Sequence, residues 1–309
     1  MSDASATAAR WFAVLNPVSG GGRARRHRED IEAALRDHGV DHALHVSEHA
    51  GHAIALAREG ARAGYRRFIA VGGDGTLNEL LNGVLGAAVA FSEPPVFALV
   101  PVGRGDDWAR TFRIPRPAGE AAALIGRGRT VLQDIGVAAF EHAGPDSKRH
   151  FINVAGAGFD AYVVAQTQAL RLGPLTYLAG LLRGFMTFRA PQMKVTVASD
   201  TRQEPLFLAF AAIGRYCGGG MHVAPGASPD DGLFDVVTVG AVGKAELLMN
   251  LRRLFDGTLP EYHKVSVVRV ASVRVESEPP AQVQADGELL GSTPVSFSVL
   301  PRAVRVIVP

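Results

Sequence analysis

The chain has 309 residues, 47% of them hydrophobic and 20% charged, with 32 basic against 30 acidic side chains and a formal net charge of +2. That composition excludes a disordered or collagen-like chain, and the near-zero charge argues against a dedicated nucleic-acid binder, which carries a basic excess on one domain. At about 150 residues per domain the length fits two domains, and the single cysteine, Cys217, excludes an internal disulfide and a thiolate metal cluster while agreeing with a reducing compartment.

Residues 1–10 are small and polar, lack the apolar core of an export signal, and run into the apolar stretch Trp11 to Leu15, which reads as a buried strand. A cytoplasmic protein is the expectation. The turn-rich Asn16-Pro17-Val18-Ser19-Gly20-Gly21-Gly22 follows, and then a polar helical stretch from Arg25 to His38. His42 to Val46 reads as the next strand, Ala50 to Ala63 as a helix, and Arg67 to Val71 as a third strand ending at Gly72-Gly73-Asp74-Gly75. Thr76 to Val84 has helical spacing, and Val96 to Val100 is another apolar strand ending at Pro101. Strands alternating with helices predict an α/β domain on a mainly parallel sheet, over residues 1–130.

Beyond Arg129 the texture changes to strands separated by turn residues: Thr130 to Ala139, Phe151 to Val154, Gln192 to Ala198, Leu206 to Ile213, Leu233 to Val239, Lys264 to Glu276, Gln282 to Ala285 and Val295 to Leu300. Residues 131–309 are therefore expected to form a predominantly β domain. Thr167 to Phe188 and Lys244 to Phe255 have helical spacing, and the last strand, 303–308, is free to return to the first domain.

The most informative motif is Val71-Gly72-Gly73-Asp74-Gly75-Thr76-Leu77-Asn78-Glu79. Glycines after a buried strand let backbone approach a ligand and leave N–H groups at a helix start, where partial positive charge favours phosphate. Thr76 and Glu79 also have capping-box spacing. On spacing alone, a phosphate site and a tight, well-capped turn both stay open.

The string GGDGTLNE is more specific than a loose glycine pattern and resembles the diacylglycerol kinase catalytic domain, a lipid-kinase family that includes sphingosine and ceramide kinases and is related in fold to NAD kinases. Further blocks follow in order: Asn16-Pro17 with Ser19-Gly20; Phe151-Ile152-Asn153 with Gly156 and Gly158-Phe159-Asp160; Gly218-Gly219-Gly220-Met221 through Ala224-Pro225 to Asp231-Gly232-Leu233-Phe234-Asp235; and Asp286-Gly287-Glu288. The resemblance implies a nucleotide-binding α/β domain and a β-sandwich domain, with ATP and a lipid hydroxyl meeting in a cleft for Mg²⁺-dependent phosphoryl transfer. It implies a nucleotide set of Asn16, Pro17, Ser19, Gly20, Gly72, Gly73, Asp74, Gly75, Thr76, Glu79, Gly103 and Arg104. Asp286 is then the base near the acceptor hydroxyl, Glu288 assists it, and Asp107 is the polar contact in the acceptor site. A structural Mg²⁺ is implied at Asp231 and Leu233. The chemistry agrees, because phosphoryl transfer needs alignment, charge compensation and an acceptor for the departing proton. Taken alone, Asp-Gly-Glu is an ordinary hairpin turn.

Three departures stand out. Arg104 and Asp106 occupy positions where the family usually has Thr and Asn, and an ionised aspartate cannot donate as an amide does. Ile213 stands where the family often carries asparagine. Six of the ten histidines lie between His27 and His52, without firm zinc-ligand spacing, and read as solvated surface. Ala169 to Phe188 is interrupted by Arg171, Gly173, Pro174 and Arg183, so it does not span a membrane. Its apolar face packs on the β domain or contacts a membrane surface, with Arg171, Arg183 and Arg189 near anionic headgroups. The sequence thus points to an ATP- and Mg²⁺-dependent lipid kinase acting on a diacylglycerol-type hydroxyl. A sphingoid base, phosphatidylglycerol or a soluble NAD-like acceptor, a lapsed nucleotide- or lipid-binding regulator, and a homodimer are left open.

Overall fold

The computed structural model describes residues 7–103, 105–141, 148–169 and 184–309. Arg104 and most of the Ala169 to Phe188 segment lie outside the described residues. The chain forms two compact units: Met1–Asp134 with Arg302–Pro309, and Ile135–Pro301.

The first unit is built on parallel strands. β1 (Trp11–Leu15), β2 (His42–Val46), β3 (Arg67–Gly72), β4 (Val96–Pro101) and the end of β15 (Val295–Ile307) run in the order β2-β1-β3-β4-β15. The central strands are apolar on both sides because helices cover both faces, as a parallel sheet requires; every residue of β1 is buried, and Phe68 stacks on Phe97 with ring centroids 5.6 Å apart. The chain steps from β1 to β2 on one side and reaches β3 and β4 on the other, so the order reverses between β1 and β3. In open α/β sheets, ligands sit outside the carboxyl ends of strands at that reversal. The glycine-rich segments after β1, β3 and β4 all lie at those ends, in register through Leu15–Val71 and Val71–Val100.

The second unit is a β-sandwich. β9 (Asp200–Ala212) pairs through its first half with β8 (Gln192–Val197), and through its second half with β7 (Val154–Gly158) and β10 (Phe234–Gly240). Strand alternation sorts its side chains: Ala209 and Ala211 face a core with Phe151, Phe234 and Phe297, whereas Leu208, Phe210 and Ala212 face one with Val223, Ala224 and Leu259.

Several expectations need correction. The single strand read over Lys264 to Glu276 is two, β11 (Val265–Val270) on β10 and β12 (Ser272–Glu278) on β8 and β15, because the chain changes sheets at Ala271. The strand read over Phe151 to Val154 is interrupted at Ile152 and Asn153, between β6 (Arg149–Phe151) and β7. Helices α5 (Asp107–Phe112) and α6 (Ala118–Arg127) follow β4, and the helix after β7, α7, begins at Phe159 rather than Thr167 and runs to Ala169. Lys244 to Phe255 is two short helices, Lys244–Asn250 and Arg253–Asp256.

Candidate active site

In the first unit, three loops are pressed together by missing side chains. A Cβ on Gly72 would stand 2.3 Å from Thr76 Oγ1, and one on Gly103 would stand 2.8 Å from Gly73 Cα and 2.4 Å from Asp106 Oδ1. Gly20 has φ of 63°, and a Cβ there would stand 2.2 Å from the Val102 carbonyl oxygen. Hydrogen bonds fix the same contacts. Asn16 Nδ2 donates to Thr76 Oγ1 at 3.3 Å, the Val102 N–H donates to Gly72 O at 2.7 Å, and Arg23 Nη2 donates to the Val102 and Gly103 carbonyls at 3.2 and 3.3 Å. Arg23 is a residue the sequence reading missed; its partners lie 79 and 80 positions away, so no local signal marks it.

The helix after β3, α4, runs Asp74–Leu85, so Thr76 lies inside it and Gly73 precedes it without a side-chain cap. The capping-box reading is therefore corrected. The first N–H groups of a helix have no intrahelical acceptor and face outward as anion donors. Glu79 turns to a different helix, α3 (His52–Arg62): its Oε1 accepts the Gly51 N–H and its Oε2 the Ala53 N–H, both at 3.1 Å.

Acidic groups surround these loops. Asp74 accepts the N–H groups of Asp107 at 2.7 Å and Trp108 at 3.2 Å, and so holds the start of α5. Burial pushes the Asp74 carboxyl up to about 7, against those two donors and assisted by the Asp107 and Asp106 carboxylates. Asp106 is buried with φ of 51° and pairs with Arg116 Nη2 at 3.2 Å, while its Oδ1 has no hydrogen-bond partner among the described residues. Burial raises its pKa too, with Arg116 opposing. Asp107 is buried and has Arg110 Nε 3.9 Å from its Oδ1.

In the second unit, Asp286 and Gly287 join β13 (Gln282–Ala285) to β14 (Glu288–Ser292) as a two-residue hairpin loop, with φ of 48° and 85°. Two consecutive positive φ angles are what a type I′ turn demands, and Asp-Gly supplies them at low cost. The side chain does not face solvent as in an ordinary turn. Asp286 Oδ2 accepts the Ile152 N–H at 2.8 Å, and its Oδ1 accepts those of Asn153 at 2.9 Å and Val154 at 3.2 Å. Those amides break the expected strand, because they point at a carboxylate rather than a ladder partner. Glu288 accepts from Arg149 Nη2 at 2.8 Å, and both side chains are about one-third exposed. Ile213 lies wholly in the hydrophobic core, which accounts for an apolar residue there.

The arrangement at Asp231 does not fit the implied structural Mg²⁺. Its Oδ1 accepts the Leu233 N–H at 3.0 Å and its Oδ2 is bonded to the Arg269 guanidinium, which also reaches Asp235 Oδ1 at 3.3 Å. Arginine already supplies the positive charge. Among the described residues no group of three or more His, Cys, Asp or Glu side chains is arranged to hold a metal ion, and no helix is long and apolar enough to cross a membrane.

Comparison with known proteins agrees with this geometry. The diacylglycerol kinase catalytic domain matches residues 10–138, and the YegS C-terminal NAD kinase beta sandwich-like domain matches residues 153–308. The diacylglycerol kinase of Bacillus subtilis (strain 168) is 27% identical over 299 residues, 96% of this chain and 95% of its own length. The diacylglycerol kinase of Mycobacterium tuberculosis (strain ATCC 25618 / H37Rv) is 29% identical over 302 residues, 96% of this chain and 94% of its own. A crystal structure of a diacylglycerol kinase from Bacillus anthracis str. Sterne shares the fold, with a TM-score of 0.74 at 23% identity over 97% of both chains. With the diacylglycerol kinase catalytic domain matched first and the YegS C-terminal NAD kinase beta sandwich-like domain after it, the chain belongs to the diacylglycerol kinase family, as an α/β catalytic domain followed by a β-sandwich-like domain.

Proposed function

We propose that the protein is a lipid kinase that transfers the γ-phosphoryl group of ATP to a diacylglycerol-type hydroxyl. The observation that carries this reading is the Asp286 carboxylate held on three consecutive amides in one unit of a chain whose other unit gathers its glycine loops at the sheet's reversal point.

Asn16, Pro17, Ser19, Gly20, Gly72, Gly73, Gly75, Thr76 and Gly103 form the nucleotide surface, where backbone N–H groups and the start of α4 favour phosphate. Arg104, which follows Gly103 in the sequence, completes the proposed nucleotide set. Glu79 supports this surface from behind, through its bonds to α3. Mg²⁺ bound with ATP is held mostly by phosphates and water with one or two carboxylates, so it needs no cage of protein ligands. Asp106 fits that role through its buried, unpartnered Oδ1, and Asp74 lies beside it. When bound, the ion neutralises charge that develops on the phosphoryl oxygens.

In the transfer, the acceptor oxygen forms a bond to the γ-phosphorus as the bond to the bridging oxygen of ADP breaks, and the hydroxyl proton passes to Asp286. Three donors fix the position of its oxygens and keep the carboxylate ionised, able to accept and not to donate. Glu288, tied to Arg149, orients the same turn, and Asp107 is the polar contact offered to the acceptor.

The lipid acceptor calls for a peripheral encounter with the membrane from the cytoplasm. Met186, Leu248, Met249, Leu251 and Phe255 are exposed, Lys244 Nζ donates to Met186 O at 3.0 Å, and Arg252 is exposed close by. Apolar side chains flanked by cations suit an anionic lipid surface. Incubating the protein with labelled ATP, Mg²⁺ and a total lipid extract tests the proposal: a labelled phosphatidic acid supports it, and tight ATP binding without any labelled lipid overturns it.

A further inference from the structure

We infer that Asp160 and Gln284 are positioning residues for Asp286, joined through two part-buried hydrogen bonds to Gly287, the other residue of its turn. The inference rests on the reading of Asp286 as the proton acceptor, and neither residue has a role in that reading.

The relay begins where β7 meets α7. Gly158 has φ of 119°, and a Cβ there would stand 2.6 Å from Phe207 O, so the chain turns against β9 and carries Asp160 inward. Asp160 Oδ2 accepts from Gln284 Nε2 at 2.7 Å, and Gln284 is itself buried. An ionised carboxylate is an acceptor only, so it selects the amide orientation of Gln284, with Nε2 toward Asp160 and Oε1 away. That Oε1 accepts the Gly287 N–H at 2.8 Å. Gly287 follows Asp286 in the two-residue turn, so the relay reaches the second half of the turn while the amides of 152–154 hold the carboxylate.

The cost of this arrangement argues that it serves more than packing. Burial pushes the Asp160 carboxyl up to about 6, with Gln284 and the backbone N–H groups of Ala161 and Asp160 opposing. A carboxylate drawn out of water costs the fold more than an apolar side chain of similar size. Such departures from local stability concentrate where a site must be held in place. Gln284 cannot be replaced by a hydrophobic residue without leaving the Gly287 N–H and Asp160 both unpartnered by it.

The test compares the full-length wild type with Asp160→Leu, Asp160→Asn, Gln284→Leu and the double Leu variant. Three quantities are read: hydrogen exchange at the Gly287 amide, turnover with Mg²⁺-ATP and diacylglycerol in mixed micelles, and ATP affinity. Breaking either hydrogen bond of the relay should speed Gly287 exchange about tenfold and lower kcat about 30-fold, with ATP affinity within about twofold. Asp160→Asn keeps an acceptor for Gln284 and should recover both to within about threefold, and the double variant should be no worse than either single one, as members of one relay are non-additive. Unchanged Gly287 exchange in Gln284→Leu overturns the inference, as does a fall in kcat that only follows the folded fraction. Gln284→Leu carries the test if Asp160→Leu does not fold. A wild type without lipid-kinase activity would sink the proposed function instead, and the exchange measurement still decides the relay.

Discussion

Asp286 and Asn153 are joined through the backbone, the Asn153 N–H donating to Asp286 Oδ1 at 2.9 Å across 133 positions of sequence. With Ile152 and Val154 it forms a three-donor cradle, which makes one turn residue both a structural anchor and a candidate base. Asn tolerates a positive φ, so Asp286→Asn should fold, losing about 1–3 kcal/mol from the disturbed cradle. Its turnover should fall about 10²- to 10⁴-fold, the range of a general base, with ATP affinity within about twofold. Steady-state kinetics and ATP titration on the purified variant check this; undiminished turnover would remove Asp286 from the chemistry.

Gly75 separates folding from ligand binding. It lies in the first turn of α4, and a Cβ added there would meet nothing within 4 Å. Alanine should therefore leave the free protein as stable or raise its stability by up to about 1 kcal/mol, from helix propensity. If phosphate approaches this turn, the same methyl should weaken ATP binding about tenfold or more, the effect of displacing a close backbone contact. Equal ATP affinity in wild type and Gly75→Ala, measured by calorimetry, would place the phosphates elsewhere.

Glu79 illustrates what sequence could and could not supply. The strand-glycine-helix order after β1 and β3 was legible, because buried apolar runs and glycines are local signals, and so was the Asp-Gly turn. The partner of Glu79 was not, since its spacing suited its own helix while the folded chain offered the orphan amides of α3. Glu79→Ala should cost about 1–2 kcal/mol, as a lost helix cap does, with ATP affinity nearly unchanged. Denaturant unfolding and ATP titration separate the two.

The helix α5 was missed for a similar reason. Its first N–H groups are satisfied by Asp74, which precedes it by 33 and 34 residues. By contrast, α6 carried its own signals, Ala-rich and ended by Gly128 at φ of 70°, and only the loop-like Pro and Arg residues before it obscured them. The Asp231 loop has a partner that is distant in sequence. The resemblance implied a metal at this loop, and in the structure Arg269 pairs with the same carboxylate.

Thermal stability should accordingly be insensitive to a chelator in the absence of nucleotide, with no shift in Tm on adding EDTA. Removing the guanidinium in Arg269→Ala leaves Asp231 and the buried Asp235 uncompensated and should lower stability by about 1–3 kcal/mol. A fall in the wild-type Tm on chelation would show that the loop holds a metal.

Asp160 sets a pH dependence of stability. Its pKa, raised by burial from the ordinary carboxylate value to about 6, means that the unfolded chain releases this proton first as pH rises. Its contribution is therefore most favourable below about pH 4 and is lost through about pH 6, a change of about 3 kcal/mol. Asp160→Asn cannot ionise, so its stability relative to wild type should grow by about 2 kcal/mol between pH 4.5 and 7.5. Urea unfolding at the two pH values measures this, and a constant difference would show that Asp160 titrates normally.

Transfer of phosphate from ATP to a lipid hydroxyl, with Asp286 taking the proton, makes one direct demand on the protein. Wild type and Asp286→Asn, given γ-labelled ATP, Mg²⁺ and diacylglycerol in mixed micelles, test it together. Labelled phosphatidic acid should form with the wild type and almost none with the variant, while both bind ATP. Labelled lipid formed equally by both, or by neither while ATP binds tightly, would contradict it.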